Sequence, residues 1–268
     1  MSTIFKNISL SPLEVTIIDE TNFNRKELVE PLVKELTTND VSKTLKGKKV
    51  KIIIPKDFGK TVYNHSIDEE KEYYDKNGYS TSRGHFAASF EEKVTEFRIT
   101  INNSAFNELQ YFSTIFHEFT HVLDFNNYID NYGNPMLMNR KTKHNNYYFE
   151  FYLWTEYNAK KIGLHRLIKE YDKKNWTIDL PTTTSLFIKD MEKESQSLPR
   201  LYNLMHYFAR ISVCDDGLLT LNSEIYPKNY LINNFGKNAM VIHNTMESIK
   251  SFKEFENEKT FLRYLLNW

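Results

Sequence analysis

The chain has 268 residues, 40% apolar and 26% charged, enough for a sizeable core in one large domain or two lobes. Its 35 basic residues balance 35 acidic ones, so no bulk attraction to nucleic acid or to an anionic membrane surface is expected. Cys214 is the single cysteine, which excludes an intrachain disulfide.

The first residues, Met1 to Asn7, lack a basic stretch followed by an apolar one, and no apolar run approaches the length of a membrane span. A cytoplasmic protein is expected. Residues 12–20 hold Leu13, Val15, Ile17 and Ile18 and read as a short strand. A helix is predicted from Asn22 to Leu36, with Leu28, Leu32 and Leu36 four apart. Val50 to Ile54 is a β-branched run of strand length, predicted to lie centrally in a sheet. Residues 57–83 are polar, with the acidic run Asp68-Glu69-Glu70, and read as loop with some extended structure. A hairpin is predicted next. Phe86, Ala88 and Phe90 alternate with small residues, Glu91-Glu92-Lys93 makes the turn, and Phe97, Ile99 and Ile101 alternate with Glu96, Arg98 and Thr100. Such alternation predicts a sheet covered on one face.

Asn102, Asn103 and Ser104 are cap candidates for a following helix. That helix has Leu109, Phe112, Phe116, Phe119 and Leu123 as its apolar stripe. It contains His117-Glu118-Phe119-Thr120-His121, an H-E-x-x-H pattern. Residues i and i+4 lie one above the other on a helix, so both imidazoles can face one Zn²⁺. Glu118, turned about 100° from His117, can reach a water held beside the metal and act as general base. Residues 126–146, rich in Asn, Gly and Pro, read as an ordered loop. A long helix is predicted from Tyr148 to Asp172, with shorter ones from Ser185 to Lys193 and from Pro199 to Val213. Gly217 and residues 218–227 interrupt, and helices follow from Ala239 to Phe252 and from Glu258 to Leu266.

A catalytic zinc takes three protein ligands and leaves one position open. The position six residues after His121, where a third histidine could complete the motif, is Asn127. Asp124, three residues on, is open to three readings: ligand, hydrogen-bond acceptor behind a histidine, or surface carboxylate. The better candidate is on the long helix. Glu156 shares its face with Tyr152, Leu153 and Ala159, and an acid among apolar residues needs a partner or a metal. Glu150 competes with less of that context, and His144 is a further alternative. Among the remaining histidines, the pair His206-Tyr207 is the candidate for stabilising an oxyanion. His65, His85, His165 and His243 read as ordinary histidines, and Cys214 as a structural thiol.

With His117-Glu118-Phe119-Thr120-His121 followed by Glu156-Tyr157-Asn158-Ala159, residues 95–162 resemble the gluzincin metallopeptidases. The short minigluzincins and ImmA/IrrE-type peptidases are the nearest comparison. The resemblance implies zinc held by His117, His121 and Glu156, with Glu118 as base. The expected fold is α+β. An α/β lobe over residues 1–130 has a small mixed or antiparallel sheet and carries the motif helix. A helical lobe over 131–268 carries the glutamate helix, and the two form one catalytic unit with a cleft between them. The expected function is zinc-dependent hydrolysis of a peptide or protein substrate, with no nucleic-acid or membrane partner. The alternatives are a catalytically silent interaction or regulatory protein and a zinc hydrolase of a non-peptide amide.

Overall fold

The structure is a computed structural model that describes residues 12–66, 68–80, 82–104, 108–171, 179–194, 197–213 and 226–266. Met1 to Asn7, Cys214 and Gly217 lie outside the described residues. The fold is α+β, as expected. The chain forms two compact units, Met1–Phe106 and Asn107–Trp268. The division falls ahead of the motif helix, not after residue 130, because that helix packs chiefly on helices later in the chain.

The first unit has a four-stranded mixed sheet in the order β1-β2-β4-β3. Its strands are β1 (Glu14–Asp19), β2 (Lys49–Ile54), β3 (Gly84–Ala88) and β4 (Glu96–Ile101). β1 and β2 are parallel, as are β2 and β4, with Ile52 opposite Ile99. β3 and β4 form the predicted antiparallel hairpin, with Phe86 opposite Ile99. The β-branched run of β2 lies inside the sheet, as its composition predicts. Val50, Ile52, Ile54, Phe97, Ile99 and Ile101 are buried on one face. Ile53 and Thr100 are buried on the other, so both faces of the inner strands are covered toward their ends. Helices α1 (Lys26–Leu36) and α2 (Asn39–Thr44) connect β1 to β2. α1 starts later than predicted. Asp19 is occupied in a turn, accepting from Thr21 and Lys26, and Asn24 takes a left-handed conformation at φ 50°.

Residues 57–83 are not mainly loop, because they include α3 (Phe58–His65) and α4 (Asp68–Asn77). Asp57 caps α3 by accepting from the Lys60 amide at 3.0 Å, and Phe58 and Val62, four apart, face the core. The polar composition hid that short stripe.

The second unit is helical. Helix α5 (Glu108–Tyr132) carries the motif and runs through the first third of the segment expected to be loop. It ends at Gly133, whose φ of 87° lets its amide bond back to Ile129 at 2.8 Å. A 3₁₀ turn (Pro135–Leu137) and α6 (Arg140–Asn145) fill the rest. Then come α7 (Tyr148–Tyr171), α8 (Leu180–Lys193), α9 (Ser197–Val213), α10 (Lys228–Phe235), α11 (Ala239–Ser248) and α12 (Phe252–Leu266). α10 was not predicted. The last predicted pair divides at 248 and 252 rather than between 252 and 258.

α7 is the hub, packed against α5, α9 and α12. Phe151 meets Tyr128 of α5 at 4.4 Å between rings, and Trp154 stacks on Phe255 of α12 at 5.3 Å. α5 is buried on more than the predicted stripe. Tyr111, Ile115, Phe119, Val122 and Tyr128 are fully buried, whereas Phe112 and Leu123 are only half-buried. Gly163 lets α7 approach α5 closely, because a Cβ there would lie 2.5 Å from the Ser113 carbonyl. No helix among the described residues is long and apolar enough to cross a membrane.

Candidate metal centre

The close approach of α5 and α7 brings Glu156 to the motif. His117 and His121 stand one turn apart on α5, ring planes crossed at 84°, with their Nε2 atoms 3.1 Å apart. The Glu156 carboxylate comes from α7, with Oε2 at 3.8 Å from His117 Nε2 and Oε1 at 3.7 Å from His121 Nε2. Glu118 lies on the same group. Ligand atoms of His117, Glu118 and His121 are all within 4.8 Å of one another and can hold a metal ion.

The hydrogen bonds behind the two imidazoles decide which nitrogens face inward. Thr155 Oγ1 donates to Asp124 Oδ2 at 2.8 Å. Its only proton is spent there, so it accepts from His121 Nδ1 at 3.0 Å. That places the proton on Nδ1 and a lone pair on Nε2. Asn158 Nδ2 holds the same Asp124 oxygen at 3.1 Å. His117 in turn donates to the backbone at Ala159. The two Nε2 atoms thus face each other at contact distance, in position to share one cation.

Burial dominates the electrostatics. It pushes both imidazoles toward their neutral form, His117 well below the ordinary value and His121 to about 3. It raises the Glu118 carboxyl well above the ordinary range, with Glu156 adding to the rise, and it pushes Glu156 up to about 8. Glu118 is 6% exposed and Glu156 8%. Neutral imidazoles are the form a metal takes, and a cation would offset the cost of two buried carboxylates. The donor set thus fits a divalent metal.

The other predicted residues fall as follows. His206 joins the group, its Nε2 at 3.1 Å from Glu156 Oε2. Tyr207 does not. It is turned about 100° around α9 onto α8, where its hydroxyl pairs with Thr184 at 2.9 Å and its ring stacks on Phe187 at 4.2 Å. Asp124 reaches His121 through Thr155, the acceptor reading with one residue interposed. Glu150 is fully buried but is held by Arg263, with Nε to Oε1 at 2.7 Å. His144 is exposed on α6, and its carbonyl accepts from Arg263. His165 is exposed on α7, and His243 is buried with Nε2 at 3.0 Å from Ser212 Oγ. His65 and His85 belong to the sheet unit.

Thr155 and Tyr202 were not among the candidates. A helical threonine carries no signal of its own. Tyr202, whose ring lies 4.2 Å from that of His206, is marked only by its place one turn before it.

No protein-family profile matches this chain, and no curated protein and no solved structure is similar to it.

Proposed function

We propose that the protein is a zinc-dependent metallopeptidase, of the kind its motifs resemble, with zinc held by His117, His121 and Glu156. The observation that carries this reading is the pair of Nε2 atoms 3.1 Å apart facing one buried carboxylate. Tetrahedral zinc at about 2.0–2.1 Å from its ligands needs donors roughly 3.3–3.5 Å apart. The two imidazole nitrogens are 3.1 Å apart, and each has one Glu156 oxygen at 3.7–3.8 Å, close to that spacing. Glu156 is assigned as ligand because it faces both imidazoles from another helix, whereas Glu118 follows His117 on the same helix, turned about 100° from it. When bound, the metal polarises a carbonyl and makes water more acidic.

The chain's own residues supply the rest. Glu118 takes a proton from the attacking water at a carboxylate oxygen. It then delivers that proton to the leaving amide nitrogen as the C–N bond breaks, so water and peptide give an acid and an amine. Burial, which holds the Glu118 carboxyl above the ordinary range, favours its taking up that proton. His206, on Oε2 of Glu156, orients that carboxylate. The Asp124–Thr155 pair holds His121 in the tautomer that binds metal.

The test is zinc content by mass spectrometry together with cleavage of a peptide library. Glu118→Gln is expected to keep zinc and to lose turnover by about 10²–10⁴-fold, the scale of general-base catalysis. His117→Ala, His121→Ala and Glu156→Ala are expected to lose zinc. Stoichiometric zinc in Glu156→Ala overturns the ligand assignment. Zinc without cleavage of any peptide by the unaltered protein overturns the peptidase reading, in favour of a non-peptide amide substrate or a silent interaction protein.

A further inference from the structure

The strip of α7 that carries Glu156 continues away from the metal group as Tyr152 and Tyr148, four residues apart. The strip of α9 that carries His206 continues as Tyr202 and Leu198, again four apart. Residues at this spacing stand one above another on a helix. The strips run side by side. Tyr152 stacks on Tyr202 at 6.3 Å between rings and on Tyr148 at 6.3 Å, and Tyr202 lies 4.2 Å from His206. With Phe149 and Pro199 they line an open recess of about 400 Å³.

The recess begins at Tyr152 and Tyr202, one helical turn from Glu156 and His206. Its size is informative. A dry cavity of about 150 Å³ takes a benzene molecule, so this one takes a large aromatic side chain with space beside it. Its chemistry is informative too. No charged residue lines it among the described residues. Burial and the nearby Glu156 keep the Tyr152 and Tyr202 phenols protonated. A charged side chain entering there loses its hydration without gaining a partner. An aromatic side chain gains ring contacts with the tyrosines and Phe149 and apolar contact with Leu198 and Pro199.

We propose that this recess is the specificity pocket of the enzyme, receiving an aromatic side chain of the residue next to the scissile amide. The assignment rests on the peptidase reading for the word scissile, but it makes its own claim about binding. The substrate class is then a peptide segment with Phe, Tyr or Trp at the cut, not one with an acidic or basic side chain there.

Binding and cleavage are measured separately, with blocked glycine hexapeptides that carry Phe, Leu, Asp or Lys at one central position. Binding is read by calorimetry on zinc-loaded Glu118→Gln, and cleavage on the unaltered protein. The Phe peptide is expected to bind about 10- to 100-fold more tightly than the Asp or Lys peptide, the scale of burying one large apolar side chain. Adding Leu198→Trp, which fills the recess and touches no ligand, is expected to abolish that preference while zinc is retained. Adding Phe149→Ala, which enlarges the recess, keeps the test alive if the first variant does not fold. It is expected to shift the preference from Phe toward Trp. Equal binding of all four peptides, or a Phe preference unchanged in the folded variants, overturns the assignment. Phe-selective binding that the variants alter, without cleavage, overturns the peptidase reading and leaves the recess assignment standing. Neither binding nor cleavage overturns both.

Discussion

At the scale of single residues, the least expected feature is Thr155. It passes the charge of Asp124 to His121 through one hydroxyl, at 2.8 Å on one side and 3.0 Å on the other. Burial raises the Asp124 carboxyl to about 7, against hydrogen bonds from Asn158 and Thr155 that lower it. Thr155→Val keeps the shape of the side chain and removes the acceptor. His121 Nδ1 then loses its partner, and nothing favours the tautomer with a bare Nε2. Groups of this kind behind metal ligands typically contribute about 10–100-fold in affinity. Thr155→Val is therefore expected to bind zinc about 10–100-fold more weakly in competition with a chelator, while its circular dichroism is unchanged. Unaltered zinc affinity would remove Thr155 from the site. The sequence alone had made Asp124 one of three open readings. A threonine in mid-helix looks the same whether it faces solvent, core or a metal ligand, so the link could not be read. Tyr207 was misread for the opposite reason. Adjacency to His206 suggested shared purpose, yet neighbours on a helix face different ways.

At the scale of elements, long periodic segments were legible and short polar ones were not. β2, β4, α7 and α9 emerged near their predicted bounds because burial imposes a pattern over several turns or alternations. The helices at 58–65, 68–77 and 140–145 did not, because a six- to ten-residue helix needs only a cap and one or two apolar contacts. The choice between Glu150 and Glu156 shows the limit of the pattern argument. A buried acid was expected to be the ligand, yet Glu150 is the more buried of the two, at 0% against 8%. What distinguishes them is Arg263, 113 residues on, which brings two guanidinium nitrogens to Glu150 from α12 at 2.7 and 3.2 Å. Burial marks an acid that needs a cation, and it does not say whether the cation is metal or guanidinium. Arg263→Ala leaves Glu150 buried without its partner. Breaking a fully buried pair costs about 3–5 kcal/mol. The Arg263 side chain is 21% exposed, so about 2–3 kcal/mol in urea unfolding is expected, with zinc content unchanged. Zinc loss at unaltered stability would instead make Glu150 part of the metal centre.

At the scale of the whole molecule, the balanced charge conceals a local imbalance. Glu118, Glu156 and Asp124 are all buried within one helical unit, and each is pushed up by desolvation. The candidate centre lies wholly within residues 107–268, and none of its residues comes from the sheet unit. Metal binding must then act on the stability of the helical unit, because the ligands do not hold this geometry once it unfolds. The sequence supplies a reporter, since its three tryptophans, at positions 154, 176 and 268, all fall after residue 107. Trp154 is fully buried on α7, two residues from Glu156 and stacked on Phe255 of α12. Zinc held at about a hundred times its dissociation constant adds about 2.7 kcal/mol to the folded state. For a unit of this size that raises the melting midpoint by about 5–10 °C. The tryptophan-detected midpoint is expected to rise by that amount on adding zinc and to fall back with chelator. His121→Ala, which removes one of the proposed ligands, is expected to show no zinc response. An equal rise in that variant would mean that zinc binds elsewhere. No rise in the unaltered protein would mean that the facing Nε2 atoms bind no zinc in the folded state.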